Sequence, residues 1–259
     1  MSKPIIVTTS WDDGDSRDLR IAEILRSRGI GGTFYIPVQS YRTPSLSHAE
    51  LRALSAEGFE IGAHSVSHKH LWKLSVEELT AEINPCKPIL EDIIGSEVRM
   101  FCYPRGRYDA NTLKIVKKAG YAGGRTCRLL ATGAEFDPFE MPTTVEAVPN
   151  PPVSYFKNAL RARTIDGLQC AMAQMARLGN WVELGKHLFD TVLETGGIWH
   201  LWGHSWMIDE QYLWNDLEEM LDYVSKREGV TYLPNWKLLP LSCAQAANST
   251  QTYQENWSL

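Results

Sequence analysis

Two adjacent carboxylates, Asp12 and Asp13, precede Gly14. Such a pair repels itself unless a cation or a shared proton offsets the charge, and Gly14 permits a sharp backbone turn. A second cluster is His64-Ser65-Val66-Ser67-His68. Histidines at i and i+4 share one side of a helical turn, so both imidazoles can reach one metal ion. Two nitrogens and one carboxylate oxygen would leave positions open for water and substrate, as catalytic zinc requires. In a third segment, Phe101 to Gly106, Pro104 and Gly106 make a rigid turn whose backbone N–H groups can face a developing oxyanion. A fourth, Gly196 to Trp206, sets His200 and His204 among tryptophans, which suits a pocket wall carrying an acid-base group. Each segment alone also reads as ordinary structure: an Asp-Gly turn, a proline turn, or core aromatics with satisfied histidines. His48 and His70 are read as structural or surface residues.

Elements must hold these groups. Ile5 to Ser10 reads as a strand, followed by a helix capped at Asp15 or Ser16 and running to about Arg28, with Leu19, Ile21, Ile24 and Leu25 on one side. Further strands are predicted at Thr33 to Val38, Phe59 to Ala63, Val98 to Tyr103, Tyr121 to Thr126 and Gly197 to Trp202. An edge strand is predicted at Thr143 to Val148. Ser47 heads a helix ending at Gly58. Ser75 and Glu78 form a capping-box pattern before a helix to about Ile94, which Pro85 and Pro88 should kink or break. Asp109 caps a helix to Ala119, and three more are predicted at Val153 to Arg163, Trp181 to Glu194 and Trp214 to Arg227. This alternation implies parallel strands with helical crossovers, an α/β barrel closed or nearly closed. The four clusters fall at strand ends, where such a barrel builds its active site. No linker or repeat divides the chain, so residues 1–259 are read as one domain.

Composition narrows the function. With 259 residues, 44% hydrophobic and 22% charged, the chain has ample core for one barrel domain. A net charge of −5 gives no global basic field for nucleic acid or anionic lipid. Lys114, Lys117 and Lys118 read as a solvated helix face. The five cysteines, Cys86, Cys102, Cys127, Cys170 and Cys243, include no CxxC pair, which favours a reducing compartment. No apolar run approaches about 18 residues, so no membrane span is expected. The N-terminus lacks a leader-like apolar region, so a cytoplasmic location is expected.

In order and over nearly the whole chain, these motifs resemble the polysaccharide deacetylases of carbohydrate esterase family four, the NodB-homology group. The family's T-F-D-D-G pattern appears as Ser10-Trp11-Asp12-Asp13-Gly14, and H-S/T-x-x-H as His64 to His68. The resemblance implies a distorted (β/α) barrel of about seven parallel strands. It also implies Asp12 as catalytic base, with Asp13, His64 and His68 as metal ligands. The third motif, R-x-P-Y-G, matches in part: Pro104 and Gly106 are present, Cys102 stands where the arginine bracing the base is usual, and Arg105 stands at the aromatic. The Arg105 N–H becomes the candidate oxyanion donor, and Arg125 a candidate for the missing cation. The fourth motif is not recognisable. The fifth, L-x-H, fits Ile198 to His200 without a gap, so His200 is the first choice of general acid and His204 the second.

The activity so implied is hydrolysis of an N-acyl group, N-acetyl first, from an amino sugar or glycan. The cofactor is a divalent metal, zinc first, with cobalt, nickel or iron as alternatives. Trp11, Tyr103, Trp199, Trp202 and Trp206 could offer faces to sugar rings or belong to the core. A partner carboxylate for a protonated histidine could come from Asp209 or Glu210. Loss of the third-motif arginine leaves open an allantoinase-like hydrolase of a cyclic amide or ureide. An inactive carbohydrate-binding relic is a further reading, against which the spare base Asp12 argues.

Overall fold

A computed structural model of the protein describes residues 3–162, 172 and 179–240. Arg163, Cys170 and Cys243 lie outside the described residues. Seven strands, β1 (Ile5–Asp12), β2 (Thr33–Ile36), β3 (Glu60–Ala63), β4 (Met100–Cys102), β5 (Gly123–Arg125), β6 (Val145–Glu146) and β7 (Gly197–Gly203), lie in the order β5-β4-β3-β2-β1-β7-β6. All their pairings are parallel, which requires the helical crossovers that the sequence predicts. Beyond β6's own pairing with β7, Met141 forms a parallel bridge to Arg125 at the end of β5. The segment 141–146 therefore touches both edges of the curled sheet and nearly closes the distorted (β/α) barrel.

An eighth strand, β8 (Val230–Tyr232), was not predicted. It pairs with Ile5 to Val7 at the lower end of β1, whereas β2 pairs with Ser10 to Asp12 at the upper end. Three residues after Gly229 are too short for a periodic signal. A short helix, Ser205–Glu210, was also missed. The pair of prolines acts as expected: the predicted helix divides into Val76–Ile83 and Cys86–Ile94, with Pro85 at the second N-cap. The Ser75–Glu78 capping box forms as expected, and Ser47 makes a second one with Glu50. The first helix instead begins at Asp18 without a side-chain cap, and its Leu19 is exposed.

The period of two along β1 sorts side chains into two cores. Val7 and Trp11 join Ile21, Leu25, Phe34, Trp199 and Leu201 in the layer between sheet and helices. Ile6 packs inside the barrel with Tyr35, Met100, Cys102 and Ile198. Thr8, Ser10 and Asp12 share that inner side, so the barrel interior is polar and has to be bonded internally. Thr8 Oγ1 donates to Asn235 Oδ1 at 2.8 Å, and Asn235 Nδ2 donates to the Tyr35 hydroxyl at 2.9 Å. Asn235 starts the 3-10 helix Asn235–Leu238, which ties the barrel's lower end to the chain's late segment. Among the described residues no helix is long and apolar enough to cross a membrane.

Glu60 sits at that lower end. Its Oε2 accepts from Thr33 Oγ1 at 2.7 Å and the Trp236 N–H at 3.0 Å, while Oε1 is buried without a partner. Burial pushes the carboxyl up to about 7, against the lowering effect of those hydrogen bonds. The folded state thus holds the proton more tightly than the unfolded chain. This contribution is fully present below the ordinary value of 4.5 and is lost as pH rises through about 7. Raising the pH from about 5 to about 8 should therefore cost the native protein about 3 kcal/mol more than it costs Glu60→Gln. Urea denaturation of both proteins at both pH values measures this, and identical pH dependence would exclude it.

Candidate active site

At the upper end of β1 the two neighbouring carboxylates part company. Asp12, the last residue of the strand, keeps the inward direction set by the pleat. Asp13 has φ 85° and Gly14 φ 65°, so the backbone enters the left-handed region at once and turns Asp13 across the barrel mouth. Seven non-glycine residues among those described have positive φ, and four of them, Asp13, Ser65, His68 and Arg105, belong to the predicted motifs. Backbone strain of this kind persists where surrounding contacts over-determine the geometry, and it gathers at functional sites.

Asp12 is buried against Arg125 from the end of β5. The guanidinium Nη2 donates to Asp12 Oδ1, and the Cys102 thiol approaches Oδ2 at 3.7 Å. Arg125 is itself fully buried and stacks between Tyr35 and Trp202, with Cζ 5.1 Å and 4.9 Å from their ring centres. Burial alone would raise the Asp12 carboxyl, but Arg125, His64 and His204 together hold it below the usual carboxylate range. A cation from β5 thus stands beside Asp12 where the third motif offers Cys102.

Asp13 faces the histidines. Its Oδ1 lies 3.7 Å from His64 Nε2 and 3.6 Å from His68 Nε2, and it is buried with no hydrogen-bond partner. These three side chains can each aim one ligand atom within 4.8 Å of the others. The other oxygen, Oδ2, accepts from the Trp206 indole N–H at 3.0 Å and lies 3.7 Å from His204 Nε2. The segment His64 to His68 is not a helical turn, as the spacing suggested, but a loop with left-handed Ser65 and His68. Glu82 clasps it through Ser67, accepting from the backbone N–H at 2.9 Å and from Oγ at 2.6 Å. Ser65 Oγ accepts from the His68 N–H at 2.9 Å.

His64 Nδ1 donates to the Cys102 carbonyl at 2.9 Å, which leaves Nε2 to present a lone pair towards Asp13. Burial lowers the His64 imidazole despite the nearby carboxylates, and burial together with His64 takes His68 down to about 4. Both rings are therefore neutral at pH 7, the form that binds metals. A buried, unpartnered carboxylate oxygen facing two neutral imidazoles fits a divalent cation. Tyr41, which carried no motif signal, stacks on His68 with ring centres 4.7 Å apart.

The two candidate acids sit at different depths. His200 does point into the barrel, but β7 pairs it with Thr8, four residues below Asp12. Its Nδ1 donates to the Pro142 carbonyl at 3.1 Å, and its Nε2 contacts Ser10 Oγ at 2.9 Å. Burial and then the Arg125 charge lower it to about 3, so it stays neutral and engaged at both nitrogens. His204 follows the strand, reaches the mouth beside Asp13 and keeps 16% side-chain exposure. Asp209 and Glu210 are not its partners: Asp209 accepts from Arg17 and Trp214, and Glu210 pairs with Arg42.

Three aromatic candidates also belong elsewhere. Trp11 and Trp199 lie on the outer side of their strands in the core, and Tyr103 is fully buried with its hydroxyl donating to the Phe139 carbonyl. Trp202 remains at the site, lining a cavity with Arg105. Arg105 holds φ 58° in the Pro104 to Gly106 turn; the next two N–H groups, of Gly106 and Arg107, donate to Tyr103 and Pro104 carbonyls.

Fold and site define a parallel (β/α) barrel with a carboxylate-histidine cluster at the C-terminal ends of its strands. Residues 2–124 match the family model described as polysaccharide deacetylase. The curated protein named "Putative polysaccharide deacetylase YxkH" from Bacillus subtilis (strain 168) is 25% identical over 122 residues, 46% of this chain and 44% of that protein. The match thus spans less than half the length of the curated relatives. A structure described as a "putative polysaccharide deacetylase" from Mycobacterium smegmatis superposes with TM-score 0.68 at 16% identity, covering 95% of this chain and 92% of that one. The chitin deacetylase of Colletotrichum lindemuthianum gives TM-score 0.61 at 14% identity, covering 91% and 88%. Over residues 2–124 the sequence is similar to the polysaccharide deacetylases, and over nearly its whole length the chain shares the fold of these structures.

The Asp12–Arg125 pair should be a large structural term. Removing one partner of a buried ion pair leaves an uncompensated charge and costs about 3–5 kcal/mol. Arg125→Met should lose about that much stability, and the double variant Asp12→Asn with Arg125→Met should recover part of it. Denaturation of the two single variants and the double closes the cycle. A loss below about 1 kcal/mol in Arg125→Met would show that the pair does not hold the mouth.

Proposed function

We propose that the protein is a metal-dependent hydrolase that removes an N-acyl group, N-acetyl first, from an amino sugar or glycan, with the chain as one catalytic domain. The observation that carries this reading is the division of the two carboxylates, Asp12 to a buried arginine and Asp13 to two neutral imidazoles. Adjacent acids with separate partners can serve as base and ligand at one centre.

Asp13, His64 and His68 would hold the cation. Two nitrogens and one oxygen suit zinc, and cobalt, nickel or iron accept the same donors. When bound, the cation supplies positive charge that acidifies a water and polarises the amide carbonyl. Asp12, kept ionised by Arg125, accepts a proton from the attacking water through the oxygen that Arg125 leaves unpaired. Asp13 has its charge committed and cannot share that task. The Arg105 N–H donates to the developing oxyanion. His204 gives a proton to the leaving nitrogen, since an amine anion does not depart at neutral pH. His200 braces Ser10 and Pro142 below the site, and Trp206 holds the second oxygen of Asp13.

Arg125 beside Asp12 supplies a cation in place of the absent third-motif arginine, which supports the amino-sugar reading over a cyclic amide or ureide. A screen of N-acetylated and N-formylated amino-sugar conjugates, with a cyclic ureide in parallel, reads the substrate directly through free amine and ring opening. Turnover of the ureide alone would overturn the proposal.

Metal content by elemental analysis tests the ligands: the double variant His64→Ala with His68→Ala should carry none, and retained stoichiometric metal would refute the assignment. Asp12→Asn should keep the metal and lose about 10² to 10⁴ in rate, whereas Asp13→Asn should lose the metal. His204→Ala should impair a plain amide far more than a substrate with an activated leaving group. If His200→Ala shows that selective loss and His204→Ala does not, the acid has been misassigned.

A further inference from the structure

Beside the candidate centre lies a cavity of about 250 Å³, open to solvent, lined by Arg105, Trp202, Glu146, Asn150, Ser154 and Lys157 among others. It shares two residues with the site. Arg105 supplies the candidate oxyanion donor, and Trp202 stacks against Arg125 and lies with its ring centre 5.5 Å from that of His204. A substrate whose amide reaches Asp12 would therefore extend into this cavity. We infer that the cavity receives an anionic substituent, a phosphate or a carboxylate, carried by the amino sugar, with Arg105 and Lys157 as the groups that recognise it.

Three observations support this. Arg105 and Lys157 are exposed, and neither is engaged in an ion pair among the described residues, whereas Arg17, Arg42 and Arg125 around the same mouth are each paired with carboxylates. Ser154 and Asn150 add hydroxyl and amide groups to the wall of the same cavity. Finally, a neutral sugar would need no cation here, because its hydroxyls bond equally well to uncharged side chains. Glu146 is the acid in the wall. Its Oε2 accepts from Asn150 Nδ2 at 2.8 Å, and burial raises its carboxyl. Arg105 offers a planar fork and Lys157 a mobile point charge, a combination that serves phosphate and carboxylate alike.

The inference rests on the proposed deacetylase reading, and the test separates the two. Metal-loaded protein and its Lys157→Gln variant are titrated calorimetrically, and assayed for free amine, with N-acetylglucosamine, its 6-phosphate and N-acetylmuramic acid. One or both charged sugars should bind the native protein about tenfold more tightly than the neutral one. Lys157→Gln should remove about fivefold of that preference while leaving turnover of the neutral sugar unchanged, in line with one partly solvated ion pair. Raised ionic strength should erode the preference in the native protein. Equal affinity for all three sugars, or an unaltered preference in Lys157→Gln, would overturn the inference while leaving deacetylation standing. Charge-dependent binding without release of amine from any sugar would support the cavity's role and count against the deacetylase reading instead.

Discussion

The buried pair of Asp12 and Arg125 is the constraint on which the mouth of this barrel depends. Desolvating both ions is expensive, and their attraction offsets that cost only where further contacts complete the geometry. Those contacts are present: the guanidinium lies between the faces of Tyr35 and Trp202, and its Nη1 approaches Cys127 Sγ at 3.4 Å. Tyr35 belongs to β2, Trp202 to β7 and Arg125 to β5, so one ion pair joins strands on opposite sides of the barrel. It also fixes the charge of Asp12, which frees Asp13 to face the histidines with its own charge undivided.

Closure of the barrel serves the same end. The segment 141–146 bridges β5 through Met141 and β7 through Val145 and Glu146, which keeps the end of β5, and hence Arg125, close to β1. Pro142 and Thr144 of that segment hold His200 by its ring and its backbone. Within the barrel Asn235, Thr8, Ser10 and His200 thus form a polar ladder beside the apolar cluster of Ile6, Met100 and Ile198.

Much of this was legible in the sequence because the relevant signals are local. Asp12-Asp13-Gly14, the His64 to His68 spacing, the Ser75–Glu78 capping box and the paired prolines each sit within a few residues, and strand-helix alternation states the parallel topology. What the sequence hid was depth and direction across strands. The inward face of β7 could be read from its period of two, but its register against β1 could not, and register decides that His200 lies four residues below Asp12 while His204 reaches the rim. The same ignorance of register left Trp11 and Trp199 as candidate sugar faces, although both point to the helices. Arg125 could be named from its position at a strand end, yet its partner follows only from the closing of the barrel. Tyr41 lay in a loop after β2 with no motif to mark it.

The left-handed backbone at His68 narrows what that position can become. Among non-glycine residues, asparagine, aspartate and histidine enter this region most readily, and β-branched or bulky side chains are excluded from it in practice. Glycine apart, the residues that substitute there without moving the loop are therefore largely ones with an oxygen or nitrogen in the side chain. Under the proposed ligand role of His68, drift at position 68 would exchange one donor for another or, through glycine, remove it.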